Sequence, residues 1–296
     1  MNKQSLLIVM MLVLFAWSCA WSEELPWDVK TPFKEATIYY ELSGTEVGKE
    51  TLYIQEFGAR QAKHRSTTAT LMGISKDTQT IQITDQNWIY HYDIREKTGG
   101  KTTNPVKIYR SEYAKLNAEE KKNFEKNAKE LGPGGMFAQV DSVIRYKADK
   151  ILGFDCDIAS VAGISTVYLL HKTAIPLKAE TSVMGIKNNV IATKVDTSTP
   201  VPDDAFSAPT GITAQLDQPM ESMMQEMVKN TVDTLKRADG IELMRQSGPL
   251  GMMGEAPLQQ MLGREMEGDG DQEEQQELMR QINEALQHVR KQQSQK

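Results

Sequence analysis

The sequence predicts a mainly β (α+β) protein built on one large antiparallel sheet, with a helical, methionine-rich C-terminal extension. Three observations predict it. Half-wet strand patterns follow one another from about residue 33 to 212, joined by turns too short for parallel crossovers, which need a dozen residues or more. Within that range only residues 110–131 carry helical spacing. From residue 217 the composition changes to methionine, glutamine and glutamate at helical intervals.

The amino end comes first. Residues 1–22, MNKQSLLIVMMLVLFAWSCAWS, place one positive charge at Lys3 before an apolar run from Leu6 to Trp17 and then small residues. This is the layout of a secretory signal peptide spanning about residues 1–20, with cleavage near 18–22. The expected destination is the periplasm, with no transmembrane span in the mature chain, because no later segment is as long and apolar. Ala16-Trp17-Ser18-Cys19 departs from a bacterial lipobox at the bulky Trp17 and at the missing leucine. Lipidation at Cys19 is therefore the alternative, and it would give a lipid-anchored envelope protein. Cleavage after Ala20 leaves Cys156 as the one cysteine, so no disulfide staples the fold and a real core is required.

The strands follow in series. ATIYYELSG (36–44) and KETLYIQEFG (49–58) alternate and stop at glycines, suggesting a hairpin. RQAKHRSTTATLMG (60–73) is a more polar extended run. TQTIQITD (78–85) and NWIYHYDIRE (87–96) flank the tight-turn composition Asp85-Gln86-Asn87. Strand signals resume over 142–162, where Gly153 suggests a bend or bulge, then over 165–172, 176–185 and 189–196. VPDDAFSAPTG (201–211) closes the series with an isolated Phe206 placed to plug the end of a core. Eight or nine strands are expected in one domain, 33–212.

Helices are few. RSEYAKLNAEEKKNFEKNAKEL (110–131) spaces Tyr113, Leu116, Phe124 and Leu131 among Lys and Glu, and GPGG (132–135) is expected to end it. Residues 217–239 form an amphipathic helix, with Met220, Met223, Met224 and Met227 followed on the same face by Val228, Thr231 and Leu235. Residues 240–272 read as a flexible Gly/Met-rich linker and 273–293 as a C-terminal helix.

Catalytic chemistry is hard to find. GxGxxG, Walker, HExxH, GxSxG and CxxC patterns are all missing. EKTGGKTTNP (96–105) lacks the frame of a phosphate loop and reads as a solvated tip. His64, His91, His171 and His288 show no metal-ligand spacing, and His91 beside Asp93 is the nearest to a pair. Asp155 and Asp157 flank Cys156 on one side of a strand, which a wet face explains as well as acid–base work does. The tail methionines offer soft ligands for Cu(I), but helical packing requires the same spacing. No catalytic residue, cofactor or metal is assigned. The formal charge of −6 gives nucleic acid no steering field. Trp88, Tyr90 and Tyr92 share one strand face and form an amphipathic lining suited to an apolar ligand, or to packing against the 110–131 helix.

Residues 153–211 carry a Gly-centred strand with a cysteine (Gly153, Cys156), the stretch IPLKAET, and a closing Asp-x-x-Phe-x-x-Pro-x-Gly (Asp203, Phe206, Pro209, Gly211). In this order they resemble exported bacterial proteins of the outer-membrane lipoprotein-carrier fold group, including the domain of unknown function DUF4412. The resemblance covers about 34–212. It implies a sheet curled into a half-open barrel, helices covering the hollow side, and a concavity that receives acyl chains. The expected function is thus a non-enzymatic periplasmic binding or carrier protein for an apolar ligand or an acylated envelope protein. The alternative is an envelope protein–protein interaction module acting through the C-terminal helices.

Overall fold

The computed structural model describes residues 25, 27–71, 73–138, 144–161, 165–183 and 186–244. The expected signal segment with Cys19, the helix 273–293 and most of the 240–272 linker lie outside the described residues.

Two meanders make one sheet. The first runs through β1 (Ala36–Gly44), β2 (Glu46–Gln55), β3 (Arg60–Leu71), β4 (Ile74–Thr84), β5 (Trp88–Asp93) and β6 (Thr98–Thr103). The second runs through β7 (Arg145–Ile151), β8 (Phe154–Val161), β9 (Ser165–Leu170), β10 (Pro176–Val183) and β11 (Ile186–Asp196). They join where β11 pairs antiparallel with β1, Ile38 opposite Val195. A two-residue strand, β12 (Gln215–Leu216), adds to β6 in parallel. The described strands lie in the order β12-β6-β5-β4-β3-β2-β1-β11-β10-β9-β8-β7. The sheet is open, with β7 at one side and β12 at the other, and does not close into a barrel.

The alternation seen in the sequence becomes burial here. Ile38 and Ile54 are fully buried and belong to a continuous apolar cluster with Tyr40, Leu52, Cys156, Leu170, Leu177 and Ala192. Burial raises the Cys156 thiol above its usual range, as expected of a small buried hydrophobe. Tyr40 donates its hydroxyl to the Pro176 carbonyl at 2.8 Å, which satisfies the one polar atom its ring carries into this cluster.

Three stretches differ from the sequence reading. Within the stretch read as one bent strand, residues 145–161 are a hairpin: Leu152 and Gly153 both take positive φ, 52° and 85°, the turn geometry that joins two strands tightly. The tip expected at 96–105 contains β6, because its glycines let neighbouring chain approach closely. The helix expected to stop at GPGG continues to Ala138; proline removes one ladder bond and glycine weakens the turn, and neither forbids it.

Three helices of ten residues or more are described. α1 (Pro105–Ala114) starts earlier than its apolar spacing indicates, with Pro105 at its first turn and the Asn104 side chain accepting the Val106 N–H at 2.9 Å. α2 is Ala118–Ala138 and α3 is Gln218–Leu235, capped by Asp217, whose carboxylate accepts the Met220 N–H. Met224 and Met227 of α3 pack with Tyr109, Phe124, Val228 and Leu235 around Trp27, which stacks on Tyr109 at 5.7 Å. Met224 and Met227 of the predicted methionine face therefore pack against the protein's own helices. No helix residue belongs to the large sheet cluster, so these helices pack on one another rather than over that cluster. Residues 240–244, the start of the expected linker, are helical. Asn127 of α2 donates to the carbonyls of Leu235 and Arg237, capping the end of α3.

Candidate functional site

The register sorts the side chains of β2–β6 onto two faces. Tyr53 of β2, Ala62 of β3, Ile83 of β4 and Tyr90 of β5 lie opposite one another in turn. Trp88 and Tyr92 flank Tyr90 at i±2 and share its face. The aromatic face predicted from WIYHYD therefore exists and is widened by Tyr53 and Ile81.

An irregular segment, residues 201–214, lies across this face. Its only regular piece among the described residues is a 3-10 turn, Asp203–Phe206. Val201, Ala205 and Phe206 pack with Ala62, Ile83 and Tyr92, and Tyr53, Tyr90 and Ile212 border them. Tyr90 and Tyr92 run parallel at 6.3 Å. Burial raises the phenols of Tyr53, Tyr90 and Tyr92 above their usual range, with lesser contributions from Tyr39 and Asp204, from Asp85 and from Tyr90 respectively. All three rings stay neutral over the ordinary pH range.

Two devices hold the segment down. His64 Nε2 lies 2.8 Å from the Ala205 carbonyl oxygen, and the imidazole meets the Tyr53 ring edge-on at 5.2 Å. Since a carbonyl only accepts, Nε2 carries the proton in this contact. On β6, Gly99 is opposite Tyr92; a Cβ there would meet Tyr92 Cδ1 at 3.0 Å and the Thr213 carbonyl oxygen at 3.1 Å. The missing side chain is what lets residues 213–214 lie against the sheet. The Arg60 guanidinium covers the Phe206 ring from outside at 4.2 Å.

Trp88 stands apart from Tyr90 and Tyr92. Lys101 Nζ lies 4.6 Å and Lys107 Nζ 5.8 Å from its ring centre. The structure thus groups Tyr90 and Tyr92 under the 201–214 segment and leaves Trp88 half-buried beneath two lysines beside α1.

The opposite face is apolar at Leu52 and Ile54 of β2, which join the sheet cluster, and largely polar on β3–β5. A groove of about 510 Å³ is lined there by Lys63, Arg65, Gln82, His91, Asp93 and Asp217, among others. His91 and Asp93 share it, and the Asp93 carboxylate accepts the N–H groups of Arg95 and Glu96. Burial, then Lys63, lowers the His91 pKa against the pull of Asp217. Arg65 pairs with Glu46 and, at 3.6 Å, with Glu50.

Asp155 and Asp157 diverge. Asp155 faces Lys150 and Lys147 at 3.3 and 3.7 Å. Asp157 is buried, accepting the N–H groups of Lys147 and Lys172 and His171 Nδ1 at 2.7 Å. Lys147 and Lys172 have φ of 49° and 60°, so this carboxylate holds two left-handed turns and serves the fold. Among the described residues no cluster of three or more His, Cys, Asp or Glu is arranged to hold a metal. None of the described helices is long and apolar enough to cross a membrane.

No family model matches the chain, and no curated protein matches it. Among solved structures, the chain is similar to an uncharacterized conserved protein from Thermus thermophilus, at 6% identity and a TM-score of 0.37, over 66% of this chain and 95% of that one. It is also similar to PNGF-II in two crystal forms, at 11% and 13% identity and TM-scores of 0.34 and 0.30. Those matches cover 64% of this chain and about a third of PNGF-II, 33% and 32%.

Proposed function

We propose that this chain is a non-enzymatic periplasmic protein that binds an apolar ligand, an acyl chain or the acylated end of an envelope protein, on the aromatic face of β2–β5. The observation that carries the proposal is the cover of that face. Residues 201–214 shield Tyr90, Tyr92 and Ile83 with an irregular strap held by side-chain packing and the His64–Ala205 hydrogen bond. A strap without a hydrogen-bonded ladder opens at lower cost than a strand or helix. In this reading the sheet is the curled half-open surface of the lipoprotein-carrier group, and the strap does the covering that helices were expected to do. An acyl chain displacing the strap regains the buried apolar contact, at about 0.8 kcal/mol per methylene.

The test is titration of delipidated protein with a fluorescent fatty-acyl probe. Saturable, single-site uptake that Tyr90→Asp abolishes supports the reading. No saturable uptake, or uptake indifferent to that change, removes it. A second reading, an envelope interaction module, draws on the division of the chain into units Met1–Gln246 and Ser247–Lys296. Deleting 247–296 distinguishes the two, since only partner binding would then be lost.

A further inference from the structure

The face opposite the aromatic one carries a polar row that the strand register fixes. Lys63 on β3 is opposite Gln82 on β4, Gln82 is opposite His91 on β5, and His91 is opposite Gly100 on β6. Side chains opposite one another share a face, and all four residues line the groove of about 510 Å³. With strands about 4.8 Å apart, the row runs about 14 Å from β3 to β6. At its far end Gly100 leaves the floor open: the nearest atoms to a Cβ there, Asp217 Cβ and the Gln215 carbonyl oxygen, are 4.0 Å away.

The hydrogen-bonding capacity of this row is not spent within the fold. Lys63 Nζ, the Gln82 amide and the His91 ring make no hydrogen bond with another described residue. Polar side chains beside them on the sheet do: Arg65 Nε bonds Glu46 at 3.1 Å and the Thr68 hydroxyl bonds Asp77 at 2.7 Å. His91 feels Lys63 and Asp217 in opposite senses, and burial together with Lys63 wins, so the ring is neutral at pH 7. A neutral imidazole offers one donor and one acceptor, and the Gln82 amide offers both as well.

The cations at the head of the groove already have carboxylate partners. Glu50 is 7% exposed and in register with Tyr40, and it lies 3.9 Å from Lys63 Nζ and 3.6 Å from Arg65 Nη1. Glu46 also pairs with Arg65. A buried carboxylate with such long pairs adds little to stability; its structural effect is to hold both cations at the groove from beneath. On the acceptor side, both bonds to the Asp93 carboxylate fall on Oδ1, leaving Oδ2 to the groove.

We propose that this groove binds a neutral oligosaccharide, with about two or three sugar units laid across β3–β6 at roughly one per strand spacing. Since each cation is paired in the fold, an anionic ligand gains little charge attraction there. A sugar hydroxyl both donates and accepts, which is what Lys63, Gln82, His91 and Asp93 ask for at successive strands. An apolar ligand would leave these groups desolvated and unpaired. A peptide is the weaker fit, because its alternate side chains need pockets and this row offers no apolar one. The inference rests on the polar face and is independent of what the aromatic face binds.

The test is an amide NMR titration of the full chain with maltotriose, cellotriose and chitotriose, and separately with inorganic phosphate and trialanine. Saturable shifts at Gln82, His91 and Gly100 are expected with at least one trisaccharide, while the pairing of β1 with β11 stays unmoved. Lys63→Met and Gln82→Leu keep side-chain size and remove the donors, so the double variant should bind that sugar roughly tenfold more weakly, the loss of one or two hydrogen bonds. A second variant guards against misfolding: Gly100→Ala keeps every polar group, raises the floor, and should weaken binding at an unchanged thermal midpoint. No saturable shift with any of the three sugars, shifts confined to other parts of the molecule, or affinity unchanged in both variants would overturn the proposal. Phosphate or trialanine bound at these residues in preference to every sugar would overturn it in favour of an anion or peptide site.

Discussion

His64 on β3 and Ala205 in the 201–214 strap meet at 2.8 Å, Nε2 to carbonyl oxygen, across 141 residues of chain. This hydrogen bond joins the strap to the sheet at the centre of the aromatic face. His64→Phe keeps the ring but removes the donor, so it should cost about 1 kcal/mol. It should also make residues 197–212 markedly easier to cleave in limited proteolysis, while the strands stay resistant.

Gly99 and Gly100 give an internal control. Gly99→Val would drive its side chain into Tyr92 and the Thr213 carbonyl, both within about 3.1 Å of a Cβ, and should destabilise by about 1–3 kcal/mol through overpacking. Gly100→Ala points to the other face, where the nearest atoms are 4.0 Å away. It should leave the thermal midpoint nearly unchanged, within about 0.5 kcal/mol. Thermal melting of the two variants checks the asymmetry.

Asp157 is buried and accepts three hydrogen bonds, two from left-handed residues. Asp157→Asn turns one acceptor atom into a donor facing those N–H groups. The expected loss is about 2–3 kcal/mol in chemical denaturation, with no effect on acyl-probe affinity in the protein that remains folded.

Glu221 links α3 to the sheet: its carboxylate accepts the Thr103 N–H at 2.7 Å and the Gln225 amide at 2.8 Å. Burial opposes its charge, but these hydrogen bonds and Lys107 win, and its pKa lies below the usual glutamate value. A depressed folded-state pKa stabilises the protein above the unfolded value, and that stability is lost as pH falls through the folded one. Stability measured from pH 7 down to pH 3 should therefore fall more steeply in the native protein than in Glu221→Gln.

Much of the sheet was legible because its strands alternate and one face is buried. Ala36, Ile38, Tyr40 and Leu42 in β1 announce themselves by period alone, and so does the face shared by Trp88, Tyr90 and Tyr92. β6 was not legible: Thr-Gly-Gly-Lys carries no apolar alternation, and its glycines answer to Tyr92 on one face and to Gln215 and Asp217 on the other. The pair β7 and β8 hid behind Leu152-Gly153, whose left-handed geometry a non-glycine first residue does not advertise. α1 was signalled by Asn104-Pro105, a capping residue before a first-turn proline, rather than by its apolar spacing.

The candidate site was half legible. Trp88, Tyr90 and Tyr92 were singled out together and Phe206 separately, but nothing local says that Phe206 meets the two tyrosines and not Trp88. His64 reads as a polar strand residue until the chain returns to it after 141 positions.

Hydrogen–deuterium exchange with and without a bound fatty-acyl probe tests the central claim most directly. A ligand taken under the strap should speed exchange at the amides of Ala205, Ser207 and Ile212 and slow it in β4 and β5, leaving the pairing of β1 with β11 unchanged. Exchange unaltered at those three amides, or altered only in β8–β10, would contradict it.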